Sequence, residues 1–492
     1  MTFPSLIYGL FLISLVGIFW SLPYRQLRLW ILLAASLVFY GSIQPAYVPL
    51  LLAMTLVNYW LGEALALPMD WRISNREWEA AELDWSNRRR GLMIVGVSLN
   101  IVLLFGFKYV PFVLDTLGLA TQPADWLRDS LIVPLGISYF CFESIAYLVD
   151  VYRGAPPAGR FGEFAAYKLF FPKLTAGPIT RYHAVEAQFK TLDFPRLETA
   201  TDGLWLIAIG AMKKLLIADH LAILVNLSFD NLARAGSGDI WLATFAYGLQ
   251  LYFDFSGYVD MARGSALLLG IKLPANFNFP YMTTSIADFW RRWHMTLGDW
   301  LRNYLYFPLG GSRLGLGRTC LNFVIVMTLG GIWHGAAWGF VIWGLLHGVA
   351  LAVHRWQAKL TADVPAIAAF WQQPWGVVLA WALTQLMVRA AWLFFRLPNW
   401  DDFSLAVSHL WGHTADIQFA QKVYWEALGF TRSQLTLWLS SLVGLMAIVY
   451  GTQQTLKLKL NWPTKLLVIP LCLFLAWVLS PSETIHYIYF EF

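Results

Sequence analysis

His334 and His294 are the two residues of this chain whose type and surroundings best suit chemistry. His334 lies in Gly330-Gly331-Ile332-Trp333-His334-Gly335-Ala336-Ala337-Trp338-Gly339, within an apolar segment long enough to cross a bilayer. An ionisable group at membrane depth is costly and by default marks a function. The four glycines and two alanines around it let a backbone or a ligand approach closely, and Trp333 and Trp338 supply cavity walls. A histidine so placed can take a proton from an attacking hydroxyl and return it to a leaving group, because its unperturbed pKa is about 6.5. The plainer reading of His334 is a neutral imidazole that donates one hydrogen bond between helices. For His294 taken alone, an interfacial structural role has the edge over catalysis.

His294 stands out by position. With about 100° per residue and Trp290 as origin, Trp293, Leu297, Trp300, Leu301 and Tyr304 fall on one apolar arc of a single predicted helix. Asp288, Arg291, Arg292, Asp299, Arg302 and Asn303 take the opposite arc, where Asp288 and Arg292 are four apart and can pair. His294 breaks the sorting, about 40° from Trp290 on the edge of the apolar face. A helix lying at the membrane interface would turn this imidazole toward the buried region that holds His334.

The elements that must position these residues read as membrane helices. Of 492 residues, 58% are hydrophobic and 13% charged, against about a quarter charged in soluble proteins. The net charge of +5 is spread through loops, with no basic run or aromatic platform for nucleic acid. Cys141, Cys320 and Cys472 are too scattered for a disulfide framework or a metal site, and His347 and His354 lack a third ligand at zinc spacing.

Predicted spans begin with 6–22, 29–42, 47–66 and 91–113. The first lacks a preceding basic region and a clear cleavage site, which favours a retained span over a signal peptide. Loop 68–90 carries Arg72, Arg76, Arg88, Arg89 and Arg90, whereas 115–129 has only Arg128. The positive-inside rule therefore puts the former in the cytoplasm and the N-terminus outside. Trp71, Trp78 and Trp85, at sevenfold spacing, mark that loop as an amphipathic surface helix. Pro172, Gly177 and Pro178 interrupt the apolar stretch 170–179, so a re-entrant element is expected there, the alternative being a cytoplasmic loop against the membrane. Lys213 and Lys214 read as cytoplasmic anchors and Asp260 and Arg263 as a pair along one helix face. Asp254 has no local partner and is expected to face the cavity. No internal repeat interrupts the reading of 1–492 as one integral-membrane domain.

The blocks Asp288-Phe289-Trp290-Arg291-Arg292-Trp293-His294, Arg302-Asn303-Tyr304-Leu305-Tyr306 and Trp333-His334-Gly335-Ala336 resemble the signature blocks of the membrane-bound O-acyltransferases. The likeness is to the bacterial branch of alginate O-acetylation and of D-alanine transfer to teichoic acid. Its ordered blocks run from Pro134 to His347, and the flanks match mainly in hydropathy. The resemblance implies that His334 is the catalytic histidine and His294 the second site residue, where the family's eukaryotic members carry asparagine. Lys173, Pro178, Asp254, Trp290, Arg302, Asn303 and Trp333 are the candidate substrate-binding residues.

The fold expected is an all-α polytopic membrane protein, about eleven transmembrane helices plus one or two re-entrant elements around a central cavity, in a bacterial cytoplasmic membrane. The resemblance implies an acetyl group taken from a cytoplasmic donor, acetyl-CoA, and passed to an extracytoplasmic polysaccharide such as alginate or cellulose, with no bound cofactor or metal. The chain contains no serine-hydrolase domain of its own, so a periplasmic acetyltransferase-like partner and a polysaccharide synthase complex are expected beside the lipid. D-alanyl transfer from a carrier protein is the alternative within the family. A proton-coupled transporter is the alternative from another class.

Overall fold

The computed structural model describes residues 1–69, 77–118, 133–481 and 485–490, and every regular element among them is helical. Five helices are long and apolar enough to cross a membrane: Pro45–Ala66, Trp78–Lys108, Leu316–His334, Pro374–Arg396 and Arg432–Thr455. Leu6–Ser21 and Trp462–Val478 are apolar but shorter. Ser5 and Asn461 cap their first turns, accepting from Tyr8 N and Thr464 N. Many large apolar side chains point outward, Leu6 at 80% exposure and Trp477 at 74% among them. Such a surface is unsuited to water and suited to lipid.

The predicted surface helix and the span after it are one element. Trp78 and Trp85 lie on the 31-residue helix Trp78–Lys108, which runs without a break through the arginine cluster; Trp71 falls outside the described residues. Arg89 explains how a cation sits on this helix: its guanidinium donates to the carbonyls of Leu65, Val151 and Tyr152. Most of the arginine-poor segment 115–129 also falls outside the described residues.

The chain forms two compact units, Met1–Ile207 with Met261–Pro274 and Ala208–Asp260 with Ala275–Phe492. In the first, the interrupted stretch is a single helical turn, Phe171–Leu174, with Pro172 in its first turn where no N–H is needed. From Glu163 to Thr180 every residue is buried. Its irregular backbone is satisfied from other elements: Phe171 N donates to Ser36 Oγ at 3.1 Å and Thr180 N to Glu143 Oε1 at 3.0 Å. The Lys173 ammonium pairs with the Glu143 carboxylate, so this lysine braces the segment from within. Lys168 adds a hydrogen bond to Phe140 O at 2.8 Å.

In the second unit, Leu316–His334 and Trp338–Asp363 form a hairpin joined at Gly335-Ala336-Ala337. The two helices approach closely at glycines. A methyl built on Gly344 would meet Met327 O and stand 2.9 Å from Thr328 Cα. Gly344→Val therefore forces the helices apart, at a cost of about 1–3 kcal/mol for overpacking. The expected result is a lower monodisperse yield and a lower Tm in detergent; an unchanged Tm would show that the crossing tolerates a side chain.

Candidate active site

The predicted single helix through Trp290 and Tyr304 is in fact two, and the break is at His294. Ile286–Arg292 is capped by Ser285, whose Oγ accepts from Asp288 N. Asp288 and Arg292 pair at 3.0 Å, as their spacing suggested. His294 has φ 43° and ψ 53°, the left-handed region that a residue with a Cβ adopts at a cost, and Met295–Leu301 starts afresh after it. Asn276 holds this turn: its Oδ1 accepts from Thr296 N at 3.0 Å and Thr296 Oγ1 at 2.7 Å, and its backbone O accepts from Met295 N. His294 is fully buried. The cause is a tertiary break in the helix, not its place on a continuous helical face. A π-helical turn, Arg302–Tyr306, follows.

His334 is the last residue of its helix, at the glycine break, rather than mid-span. The carbonyl end of a helix favours positive charge by roughly 0.3–1 kcal/mol, up to about 2 when partly buried. An imidazolium at this position would be favoured by the same field. The His334 ring packs against Trp333, Trp343, Phe395 and Tyr489, with centroids 4.8, 5.1, 5.2 and 5.9 Å away. His294 packs against Phe255 at 4.9 Å and against Trp333 and Tyr489, each at 6.2 Å. Trp333 and Tyr489 are thus shared walls, and they bring the two imidazoles into one aromatic chamber.

A third histidine borders it. Trp290 Nε1 donates to His347 Nδ1 at 3.2 Å, and the His347 ring lies 4.8 Å from Trp343, which also contacts His334. An Nδ1 that accepts fixes the neutral tautomer with the proton on Nε2.

Tyr489 reaches the chamber because the C-terminal segment is pinned. Asp254 Oδ2 accepts from Ile488 N at 3.0 Å, while Asp254 Oδ1 lies 2.7 Å from Lys214 Nζ. Lys214 also contacts Asp219 at 2.8 Å and donates to His486 O at 3.2 Å. These contacts correct one expectation and add to two. Lys214 is 1% exposed and is no interfacial anchor. Asp254 pairs with Lys214, 40 residues away in sequence, and anchors a stretch of chain. Asp260 pairs with Lys213 at 2.6 Å.

The profile described as MBOAT, membrane-bound O-acyltransferase family, matches residues 159–395, which include both histidines. Over 398 residues the chain is 38% identical to the probable alginate O-acetylase AlgI of Azotobacter vinelandii, covering 80% of this chain and 74% of that one. The chain belongs to the membrane-bound O-acyltransferase family. It is also 37% identical to the peptidoglycan O-acetyltransferase of Helicobacter pylori over 76% of this chain and 71% of that one. The teichoic acid D-alanyltransferase of Streptococcus thermophilus is 29% identical over 47% of this chain and 59% of its own length. The protein is an acyltransferase and a multi-pass membrane protein, which sets the transporter reading aside.

Among the site residues expected of this acyltransferase, Trp333 touches His294 and His334, and Trp290 touches His347. Asp254 acts through the segment it holds. Trp290 and Arg302 line a cavity of about 370 Å³ with a floor of Phe323, Val326 and Met327. At its edge Arg302 pairs with Asp299 at 2.8 Å, and Asn303 donates to Asp299 O. Lys173 and Pro178 belong to the other unit, where Lys173 is engaged by Glu143. Sequence reasoning missed Tyr489, Trp343 and the Trp290–His347 bond. The aromatic run His486-Tyr487-Ile488-Tyr489-Phe490 behind a last apolar helix was the available signal for the first.

Proposed function

We propose that this acyltransferase moves an acetyl group from cytoplasmic acetyl-CoA to a hydroxyl on the far side of a bacterial inner membrane, for O-acetylation of an extracytoplasmic polysaccharide. The observation that carries this reading is the packing of His294 and His334 against the same Trp333 and Tyr489. In the reaction the attacking hydroxyl gives its proton to His334 as its oxygen bonds the acetyl carbon. The carbon–sulfur bond then breaks, and the imidazolium returns the proton to the leaving thiolate. His294, fixed by its turn, orients the thioester carbonyl. The apolar-floored cavity by Trp290, with Arg291 and Arg302 in its lining, suits a donor that carries both an alkyl chain and phosphates. About eleven spans with re-entrant pieces around a central cavity would give such a donor and its acceptor separate approaches, and residues 1–492 would act as one domain. A periplasmic acetyltransferase-like partner and a polysaccharide synthase are the expected companions.

The test is transfer of label from acetyl-CoA to polymer or partner in membranes that contain the full chain. Label that moves only from a D-alanyl carrier would overturn the acetyl reading. Within the site, His294→Asn keeps a hydrogen-bond donor and acceptor where His294→Ala keeps neither. His294→Asn should retain several-fold more transfer than His294→Ala at saturating donor. Equal loss in both would show that the imidazole must titrate rather than orient.

A further inference from the structure

A second cavity in the same unit, about 380 Å³, is lined by Asn226, Asp230, Tyr247, Gln250, Phe395 and Arg396, with Ile488 and His486 closing one side. Its chemistry differs from that of the cavity by Trp290. The mouth carries the exposed Asn226 and Asp230, both held by Arg396, which donates to Asn226 Oδ1 at 3.3 Å and Asp230 Oδ1 at 3.1 Å. The carboxylate and the guanidinium offset each other, so the pocket favours a neutral guest. Each still has capacity for hydroxyls, since a carboxylate has about four lone-pair sites and a guanidinium five donors.

Deeper in, Gln250 is 5% exposed, and its side-chain oxygen has no hydrogen-bond partner among the described residues. A buried acceptor left so is costly and calls for a donor. The aromatic rings of Tyr247 and Phe395 complete the lining. Phe395 lies 5.2 Å from the His334 ring, and Ile488 precedes Tyr489. A guest seated here is therefore one aromatic wall away from the chamber.

We propose that this cavity is the acceptor site and that it binds a neutral, hydroxyl-rich sugar residue, its hydroxyls meeting Gln250, Asn226 and Asp230. The volume falls in the range of about 300–1,000 Å³ in which proteins hold small ligands, enough for one sugar ring with part of the next. The proposal rests on the acetyl-transfer reading above and names the guest that reading leaves open. A serine-bearing peptide segment is the competing guest.

The experiment uses the full chain in detergent micelles with acetyl-CoA at a fixed saturating concentration, and follows thiol release together with acetyl ester on the probe. The probes are a β-1,4-linked glucose hexamer and, separately, a hexapeptide with one serine. The glucose hexamer should raise thiol release saturably and become acetylated. Gln250→Leu should raise its half-saturating concentration by about tenfold, the worth of one hydrogen bond to a buried group. His334→Ala should instead lower the rate at every concentration. Asn226→Leu, at an exposed position, should also raise the half-saturating concentration and serves where Gln250→Leu does not fold. Half-saturation equal to wild type in the folded variants, or acceleration by the peptide alone, overturns the sugar site. A wild-type protein that releases no thiol from acetyl-CoA, whether given either probe or assayed in membranes, overturns the acetyl-CoA reading itself.

Discussion

His334→Ala should leave acyl transfer at or near background while the protein still inserts and purifies as a single species. Removal of a general base commonly costs about 10²–10⁴ in rate. His334 is placed for that role by its position at the carbonyl end of Leu316–His334 and by rings on several sides that exclude water. The folding cost should be modest, because His334 closes a helix at a glycine break and the Gly331 and Gly344 crossing lies within the hairpin. The measurement is label transfer at saturating donor, with monodispersity checked first. Full transfer by a well-folded His334→Ala protein would end the catalytic assignment, and would move attention to Tyr489, a protic side chain that packs against both imidazoles.

The residues proposed to carry this chemistry came from the sequence; what holds them was much less legible there. His334 announced itself by cost, an imidazole in an apolar glycine-rich segment. His294 was reached by a helical wheel that does not apply past Trp293, because the helix ends there. The break is set by Asn276, whose hydrogen bonds to Met295 and Thr296 come from a preceding loop and leave no local periodicity. Lys213 and Lys214 looked like anchors for a related reason. A lysine in an apolar stretch reads as interfacial unless its acids are known, and those acids, Asp260 and Asp254, lie forty or more residues on. Lys214 sits in a π-helical turn, Met212–Ala218, an irregularity that apolar sequence does not advertise and that often accompanies functional sites. Apolar helices, by contrast, were readable because lipid demands continuous hydrophobicity within a single segment.

Lys214→Met should collapse the yield of folded protein. Lys214 Nζ lies 2.7 Å from Asp254 and 2.8 Å from Asp219, and the three side chains are almost wholly buried. Removal of the one cation leaves two carboxylates facing each other out of water, and loss of one partner from such a cluster costs on the order of 3–5 kcal/mol. That is a large part of the 5–15 kcal/mol or so by which proteins are stable. The same lysine holds His486 O, and its partner Asp254 holds Ile488 N, so the change also frees the segment that sets Tyr489 against His294 and His334. Stability and catalysis are separated by a second variant, Lys214→Met with Asp219→Asn and Asp254→Asn. Neutral groups in place of a buried ion cluster are often tolerated, so this triple variant should recover yield. Its transfer rate should nevertheless stay well below wild type, because the ammonium that gripped His486 O is gone. Detergent-solubilised yield, Tm and label transfer are the three readouts. A Lys214→Met protein with wild-type yield would show that the carboxylates find other compensation. A triple variant with full transfer would show that Tyr489 is seated without Lys214, and that the cluster serves the fold alone.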